Sequence, residues 1–552
     1  MNFLFFDDRV NYGELTGGEA SLSFLWERRL GMWEPAANAC KLILATITGG
    51  VSPLSVLVTS VLVHAVNTIL LAALVTPAGT TKNAAQPTWW RMLVFLLLAS
   101  WALHPLRVEV VRWASCLPYS LALLGYLLSL RLIHCSASRP FLAFVCLLFA
   151  FLCKIATLPL LVHWLWQLNV PVRRPLLSVM AIGTALLLGF TQVHAVLSSS
   201  TAGYGNGYDG YGGVRSLSSL ISDLLLAINW QWHLHVAPFL LCLRPIYSRH
   251  DIGEALQGYL SLLLLVAVLL VVILLLRRLL LLRDRQTFWL WMSVALAWCP
   301  ALALYEHGMT ESLTTDRYAH LPSALTILVL IQSSRQWILT HLPRWRARLL
   351  VLMLLLLLLT GGCVVLMHLS VLQLQRWEND ATLWEEAIHK CGSREIHSVT
   401  NFLAHVLDHA PLGSEREQAA LILLQDLCAD QYAHDLRLLT MLINHWRIAE
   451  KWGEAAQWLE QQLDRDRDRN RNRNRNGNSN SNMPPSRLEA WMLNQLGVLR
   501  IEEGKTPLQG LAAIEEAARR SPYFIANWFD ARRQLQSLLP WYQWEVGRVV
   551  RH

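Results

Sequence analysis

Long apolar runs separated by short basic links fill the first two-thirds of the chain. Runs of membrane length stand at 53–77, 90–104, 117–133, 175–197, 257–276, 287–305, 320–338 and 349–371. Two shorter runs, 140–153 and 155–168, flank Lys154. A run of about 20 apolar residues with few charges predicts a helix that crosses a bilayer. The pattern therefore predicts about ten spans. The stretch 217–245 is apolar but broken by Asn229, Gln231, His233, His235 and Pro238, and reads as an interfacial or re-entrant element. Residues 9–50 are mixed and predict a loop with short interfacial helices ahead of the first run. The Gly/Tyr stretch 198–215 predicts a flexible loop.

Basic residues set the orientation. With Asp7 placed outside, the links carrying Lys82 and Arg91, Arg131 and Arg139, Arg173 and Arg174, Arg277 to Arg285, and Arg335 to Arg348 all fall in the cytoplasm. The His104–Glu109 link, the Gly/Tyr loop, the 306–318 loop and everything after 372 then fall outside. An N-terminal tail with no helix before it has no evident route across, so this topology expects a further span ahead of Met1.

Beyond residue 371 the sequence turns to soluble helical character. Small residues at Gly453, Ala455 and Ala456, and again at Gly497, Gly504, Ala512, Ala513 and Ala517, let two helices pack closely, as in tetratricopeptide (TPR) repeats. The expected class is all-α: a polytopic membrane helical bundle over 1–371, then degraded TPR-like helices over 372–463, and a TPR-like helical repeat over 486–552. Between these last two, the Asp/Arg and Asn/Ser alternation of 464–485 predicts a disordered low-complexity linker.

Composition agrees with the pattern. The chain is 54% hydrophobic and 16% charged, with a mean hydropathy of +0.34, too apolar for a soluble protein of 552 residues. Its 24 Trp residues suit interfacial anchoring. The net charge of +8 is accounted for by the topogenic loops and calls for no nucleic-acid partner. The expected location is a multi-pass position in a plasma or bacterial inner membrane.

The candidate chemistry lies on the outer side. Asp7 and Asp8 follow a short apolar run, and carboxylates beside a bilayer usually face a cavity. With them stand, in order, Gly31-x-Trp33-x-Pro35, His64-Ala65-Val66-Asn67, His104-Pro105-Leu106-Arg107-Val108-Glu109, Lys154 with Pro159, Asp316-Arg317-Tyr318-Ala319-His320-Leu321-Pro322, and Trp377-x-x-Asp380-x-x-Leu383-Trp384. This series resembles the membrane-embedded C-type (GT-C) glycosyltransferases that carry TPR repeats. These include the transmembrane and TPR-containing protein O-mannosyltransferases and their bacterial relatives. The Asp-Arg-Tyr-x-x-Leu-Pro string together with His-Pro-x-x-Val-Glu is its most specific part.

The resemblance implies a reaction. A sugar on a polyprenyl phosphate is transferred to a hydroxyl of an exported protein or glycan. Asp7 is the expected general base and Asp8 the supporting acid, with their roles exchangeable. Arg317 would hold phosphate, Asp316 would orient it, and Tyr318 and His320 would line the donor site with Lys154. His104 and Glu109 would contact sugar or acceptor, and Arg107 is a further phosphate candidate. A hydroxyl needs a base to become a good nucleophile, and a departing phosphate needs cationic neighbours. No cofactor is required; the two acids also suit a divalent ion, although an adjacent Asp pair does not specify one.

The same residues admit plainer readings. Asp316–Arg317 can be a structural ion pair, His104-Pro105 a helix break, Lys154 a snorkelling side chain, and His64 and Asn67 interhelical hydrogen-bonders. One departure from the resemblance is clear. Many relatives carry Gly-Arg-x-Asp after the His-Pro motif, where this chain reads Cys116-Leu117-Pro118-Tyr119. That motivates an alternative from another class, a catalytically inactive membrane scaffold whose TPR arm binds partners.

Overall fold

The structure is a computed structural model. It describes residues 7–17, 21–29, 32–75, 88–135, 139–167, 179–188, 247–248, 285–298, 312–314, 316–341, 345–377, 383, 396–411, 413–429, 436–475, 487–503, 507–520, 527 and 531. The expected spans at 257–276 and across most of 175–197, the interfacial element at 217–245 and the Gly/Tyr loop lie outside these residues. Among the described residues the chain is almost wholly helical. Its strands form two short antiparallel ladders, β1 (Arg28–Arg29) with β2 (Met32–Trp33) and β3 (Tyr247–Ser248) with β4 (Ser312–Thr314).

The chain divides into two compact units, Met1–Ser398 and Val399–His552. The composition boundary expected at 371 falls inside one continuous helix, Trp345–Arg376. The apolar run continues into it without a breaker before Arg376, so the change of composition marks no break in the backbone.

The first unit opens with a polar helix, α1 (Asp7–Thr16), then α2 (Pro35–Thr48). Pro35 occupies the first position of α2, where a missing N–H costs nothing, and Gly49 ends it in the left-handed region at φ 67°. There follow α3 (Pro53–Val75), α4 (Thr88–Ala102), α5 (Leu106–Arg112), α6 (Leu117–Cys135), α7 (Pro140–Cys153) and α8 (Leu160–Gln167).

Three helices in the described residues are long and apolar enough to cross a membrane: Pro53–Val75, Ala114–His134 and Leu356–Gln375. A fourth span is possible if α4 and α5 act as one, bent by 63°. The bend falls at His104-Pro105, where the ring of Pro105 removes a helical N–H. Two of these helices leave apolar side chains uncovered. Leu54 and Ile69 of α3 are 60% and 65% exposed, and Leu357 and Leu358 are 70% and 64% exposed. Such faces suit lipid rather than water.

Buried polar groups pin the helices together, as is usual where no hydrophobic force acts between spans. Asn67 on α3 donates to the Ser120 carbonyl of α6 at 2.9 Å, and His64 meets the Ala102 carbonyl at 3.1 Å. Ser370 donates to the Leu103 carbonyl at 2.6 Å, tying Trp345–Arg376 to the end of α4. Helices α6 and α7 approach closely at Gly125, where a Cβ would meet the Cys146 carbonyl oxygen at 2.9 Å.

The second unit is a succession of packed helices. Glu417 is buried against His445 at 2.7 Å, joining Glu415–Ala429 to Leu436–Ile448. Arg447 makes a two-pronged bond to Glu502, joining Leu436–Ile448 to Arg487–Glu503. The helices Arg487–Glu503 and Pro507–Arg520 form a hairpin whose contact is two glycines. A Cβ on Gly510 would meet the Gly497 carbonyl oxygen at 2.6 Å. The expected disorder does not begin at Asp464: the helix that starts at Trp452 runs on to Arg475. The alternation puts opposite charges at i,i+3 but like charges at i,i+4, so the spacing gives this turn-by-turn extension no net support. Residues 476–486 lie outside the described ones.

Candidate functional site

The site is built around a three-residue segment, Trp113 to Ser115, between α5 and α6. Helix α1 grips it from one side. Asp8, Asn11 and Tyr12 stand at i, i+3 and i+4 and so share one helical face. Asp8 Oδ1 accepts the Ser115 backbone N–H at 2.8 Å and the Ser115 hydroxyl at 2.5 Å. Asn11 Nδ2 donates to Ser115 Oγ at 2.9 Å, and the Tyr12 hydroxyl donates to the Ala114 carbonyl at 2.8 Å. Burial, and after it the Asp8 carboxylate, push the Tyr12 hydroxyl well above its ordinary pKa, so it stays protonated and keeps donating.

The short helix Asp316–Ala319 meets the same segment from another side. The Arg317 guanidinium lies 4.9 Å from the centre of the Trp113 ring and bonds Glu109 Oε1 at 2.9 Å. Glu109 is 1% exposed, and the pair satisfies the requirement that a buried charge be matched. Trp377, one residue beyond Trp345–Arg376, packs its ring 5.8 Å from that of Trp113. Thus Asp8 and Arg317, 309 positions apart, hold residues 115 and 113 of one turn.

A chain of contacts continues away from Arg317. Tyr318 meets Tyr119 edge to face at 6.1 Å, and Lys154 Nζ stands 4.6 Å over the Tyr119 ring. Lys154 closes on Glu34 Oε1 at 2.6 Å, a buried pair that joins the end of α7 to the start of α2. Tyr119 supplies an aromatic face to Lys154.

The remaining expected residues turn elsewhere. Arg107 points into the helical bundle: its Nη2 donates to Ser323 at 2.6 Å and its guanidinium lies 5.4 Å over Trp101. His320 packs with Trp101 at 5.6 Å and with His64 at 6.0 Å. It is fully buried, and both ring nitrogens are without a hydrogen-bond partner among the described residues. Asp316 is buried within electrostatic reach of Arg107. His104 is buried and its Nδ1 accepts the Leu106 backbone N–H at 3.3 Å, so the ring caps the turn it interrupts. Asp7 is the first residue of α1; its side chain lies outside the described ones.

Eight of the ten expected residues part into two groups, and His104 and Asp7 fall in neither. Asp8, Glu109, Arg317, Tyr318 and Lys154 belong to one connected surface, and Arg107, His320 and Asp316 belong to an inner cluster with His64 and Trp101. Sequence reasoning missed Ser115, Glu34, Tyr119 and Tyr12 as members of the first group. Of these only Tyr12 left a signal, through its spacing from Asp8. Among the described residues no group of three or more His, Cys, Asp or Glu side chains is arranged to hold a metal ion.

No protein-family model matches the chain, and no curated protein or solved structure matches it.

Proposed function

We propose that the protein is a membrane glycosyltransferase of GT-C type. It transfers a sugar from a polyprenyl phosphate to a hydroxyl of an extracytoplasmic protein or glycan. One observation carries the reading: the N-terminal acidic helix and Arg317 converge on the Trp113–Ser115 turn. A base and a phosphate-binding cation must lie within one substrate's length for such a transfer.

In this account Asp7 removes the proton from the acceptor hydroxyl. The hydroxyl oxygen bonds to the anomeric carbon as the bond from that carbon to the phosphate oxygen breaks. The electron pair departs with the polyprenyl phosphate, whose charge Arg317 receives. Glu109 orients the Arg317 guanidinium, and Asp8, already bonded to Ser115, is the supporting acid that fixes α1. Lys154, being closed on Glu34, contributes to the wall of the site rather than to phosphate capture. The helices of residues 399–552 act as a TPR-like arm for the acceptor chain.

The test is lipid-linked sugar profiling by mass spectrometry in a strain lacking the protein. The account expects one polyprenyl-phosphate sugar to accumulate and to return to normal on complementation. An unchanged lipid profile, joined to full complementation by an Asp7→Asn/Arg317→Ala variant, would favour a scaffold instead.

A further inference from the structure

We infer that Ser115 is a positioning residue for the transfer, the catch that holds the acidic helix at the site. This rests on the glycosyltransferase reading. The observation is that α1 has little apolar surface with which to dock. Among its described side chains, Tyr12 and Leu15 are the buried apolar ones, and Asp8 and Asn11 are buried polar ones. Three of its side chains reach one turn, and two of those three meet on a single hydroxyl. Ser115 Oγ gives its hydrogen to Asp8 at 2.5 Å and takes one from Asn11 at 2.9 Å. Its backbone N–H makes a second bond to the same carboxylate oxygen.

A hydroxyl is the smallest group that can donate and accept at once. The hydrogen bond from Asn11 occupies one lone pair of Oγ and leaves the O–H directed at Asp8. The Asp8 carboxylate is nearly without exposure, so it relies on such donors in place of water. Alanine at 115 removes both side-chain bonds and keeps the backbone one. Helix α1 then keeps Tyr12 on the Ala114 carbonyl but gains freedom about that contact. Misplacing a catalytic group by a fraction of its working distance lowers turnover more than binding. Threonine restores a hydroxyl at the same atom.

The experiment uses the full chain in lipid nanodiscs, with the lipid-linked sugar isolated from the deletion strain as donor and wild-type membranes as acceptor. Ser115→Ala is expected to lower kcat about tenfold with KM for the lipid donor unchanged. Ser115→Thr is expected to recover most of the loss. In the Asp8→Ala background, which removes the acceptor, Ser115→Ala is expected to add little, because the bond is already broken. Asn11→Ala, which removes only the bond that orients the hydroxyl, is expected to fall between wild type and Ser115→Ala. It carries the test if Ser115→Ala does not reach the membrane.

Wild-type kcat in both Ser115→Ala and Asn11→Ala, with Asp7→Asn inactive, would overturn the role of Ser115 and leave the transferase reading standing. So would losses in Ser115→Ala and Asp8→Ala that simply multiply. Wild-type transfer by Asp7→Asn and Arg317→Ala alike would instead remove the reading on which the role rests.

Discussion

Arg317 donates to Glu109 at 2.9 Å across 208 positions of sequence, and the same guanidinium faces the Trp113 ring. The pair fixes a planar cation at the turn that α1 also grips. A guanidinium offers two parallel donors to an oxyanion and stacks on an indole, whereas an ammonium does neither. Arg317→Lys is therefore expected to lose a hundredfold or so in kcat while reaching the membrane normally. Transfer assays beside a fluorescence size-exclusion profile check both halves. A purely structural ion pair would instead tolerate Arg317→Met with Glu109→Leu, which keeps volume and removes both charges. The double variant is expected to be inactive.

The Glu34–Lys154 pair should matter for stability first. Its side chains are 12% and 8% exposed, so loss of one partner leaves a charge with little water. Lys154→Met alone is expected to destabilise the membrane unit by about 3 kcal/mol. Thermal unfolding in detergent would show this. Lys154→Met with Glu34→Gln is expected to recover part of the loss, because no uncompensated charge is left.

In the C-terminal unit the contact at Gly497 and Gly510 leaves no room for a side chain. A Cβ on Gly497 would meet the Gly510 carbonyl oxygen at 2.5 Å. Gly497→Leu must therefore push the hairpin apart, at a cost of about 1–3 kcal/mol or more. Hydrogen exchange on the full chain should show faster exchange over 487–520 and no change over 53–75.

The uncovered side of Leu356–Gln375 makes a further prediction. A cysteine at Leu357 or Leu358 is expected to resist both charged and membrane-permeant maleimides in the intact bilayer, where the thiolate they need does not form, and to react after denaturation. Rapid labelling by the charged reagent before denaturation would place that face in water.

Part of this architecture was legible in the sequence. The apolar runs at 53–77, 117–133 and 349–371 became helices of spanning character because length and hydropathy act locally. His104-Pro105 bent the backbone for an equally local reason, a missing N–H. The contacts of the candidate site were legible only where acids and cations announce themselves. Asp8 and Arg317 do so and meet the same turn, and Glu109 meets Arg317. Ser115 and Glu34 do not, because their importance comes from partners 107 and 120 positions away. Arg107 and Glu109 looked equivalent in one motif, yet one turns to Ser323 and the other to Arg317. Side chains two apart on a helix point in different directions. The helix through Asp464–Arg475 has no apolar face in the sequence to announce it and continues one that begins at Trp452.

The most direct measurement is transfer of a radiolabelled sugar from its polyprenyl-phosphate carrier by the purified protein in nanodiscs, comparing wild type with Asp7→Asn and Arg317→Ala. The account predicts label moving into the acceptor fraction with wild type, free polyprenyl phosphate appearing in equal amount, and neither product with the two variants. Equal transfer by wild type and both variants, or no transfer by any of them from the lipid that accumulates in the deletion strain, would contradict it.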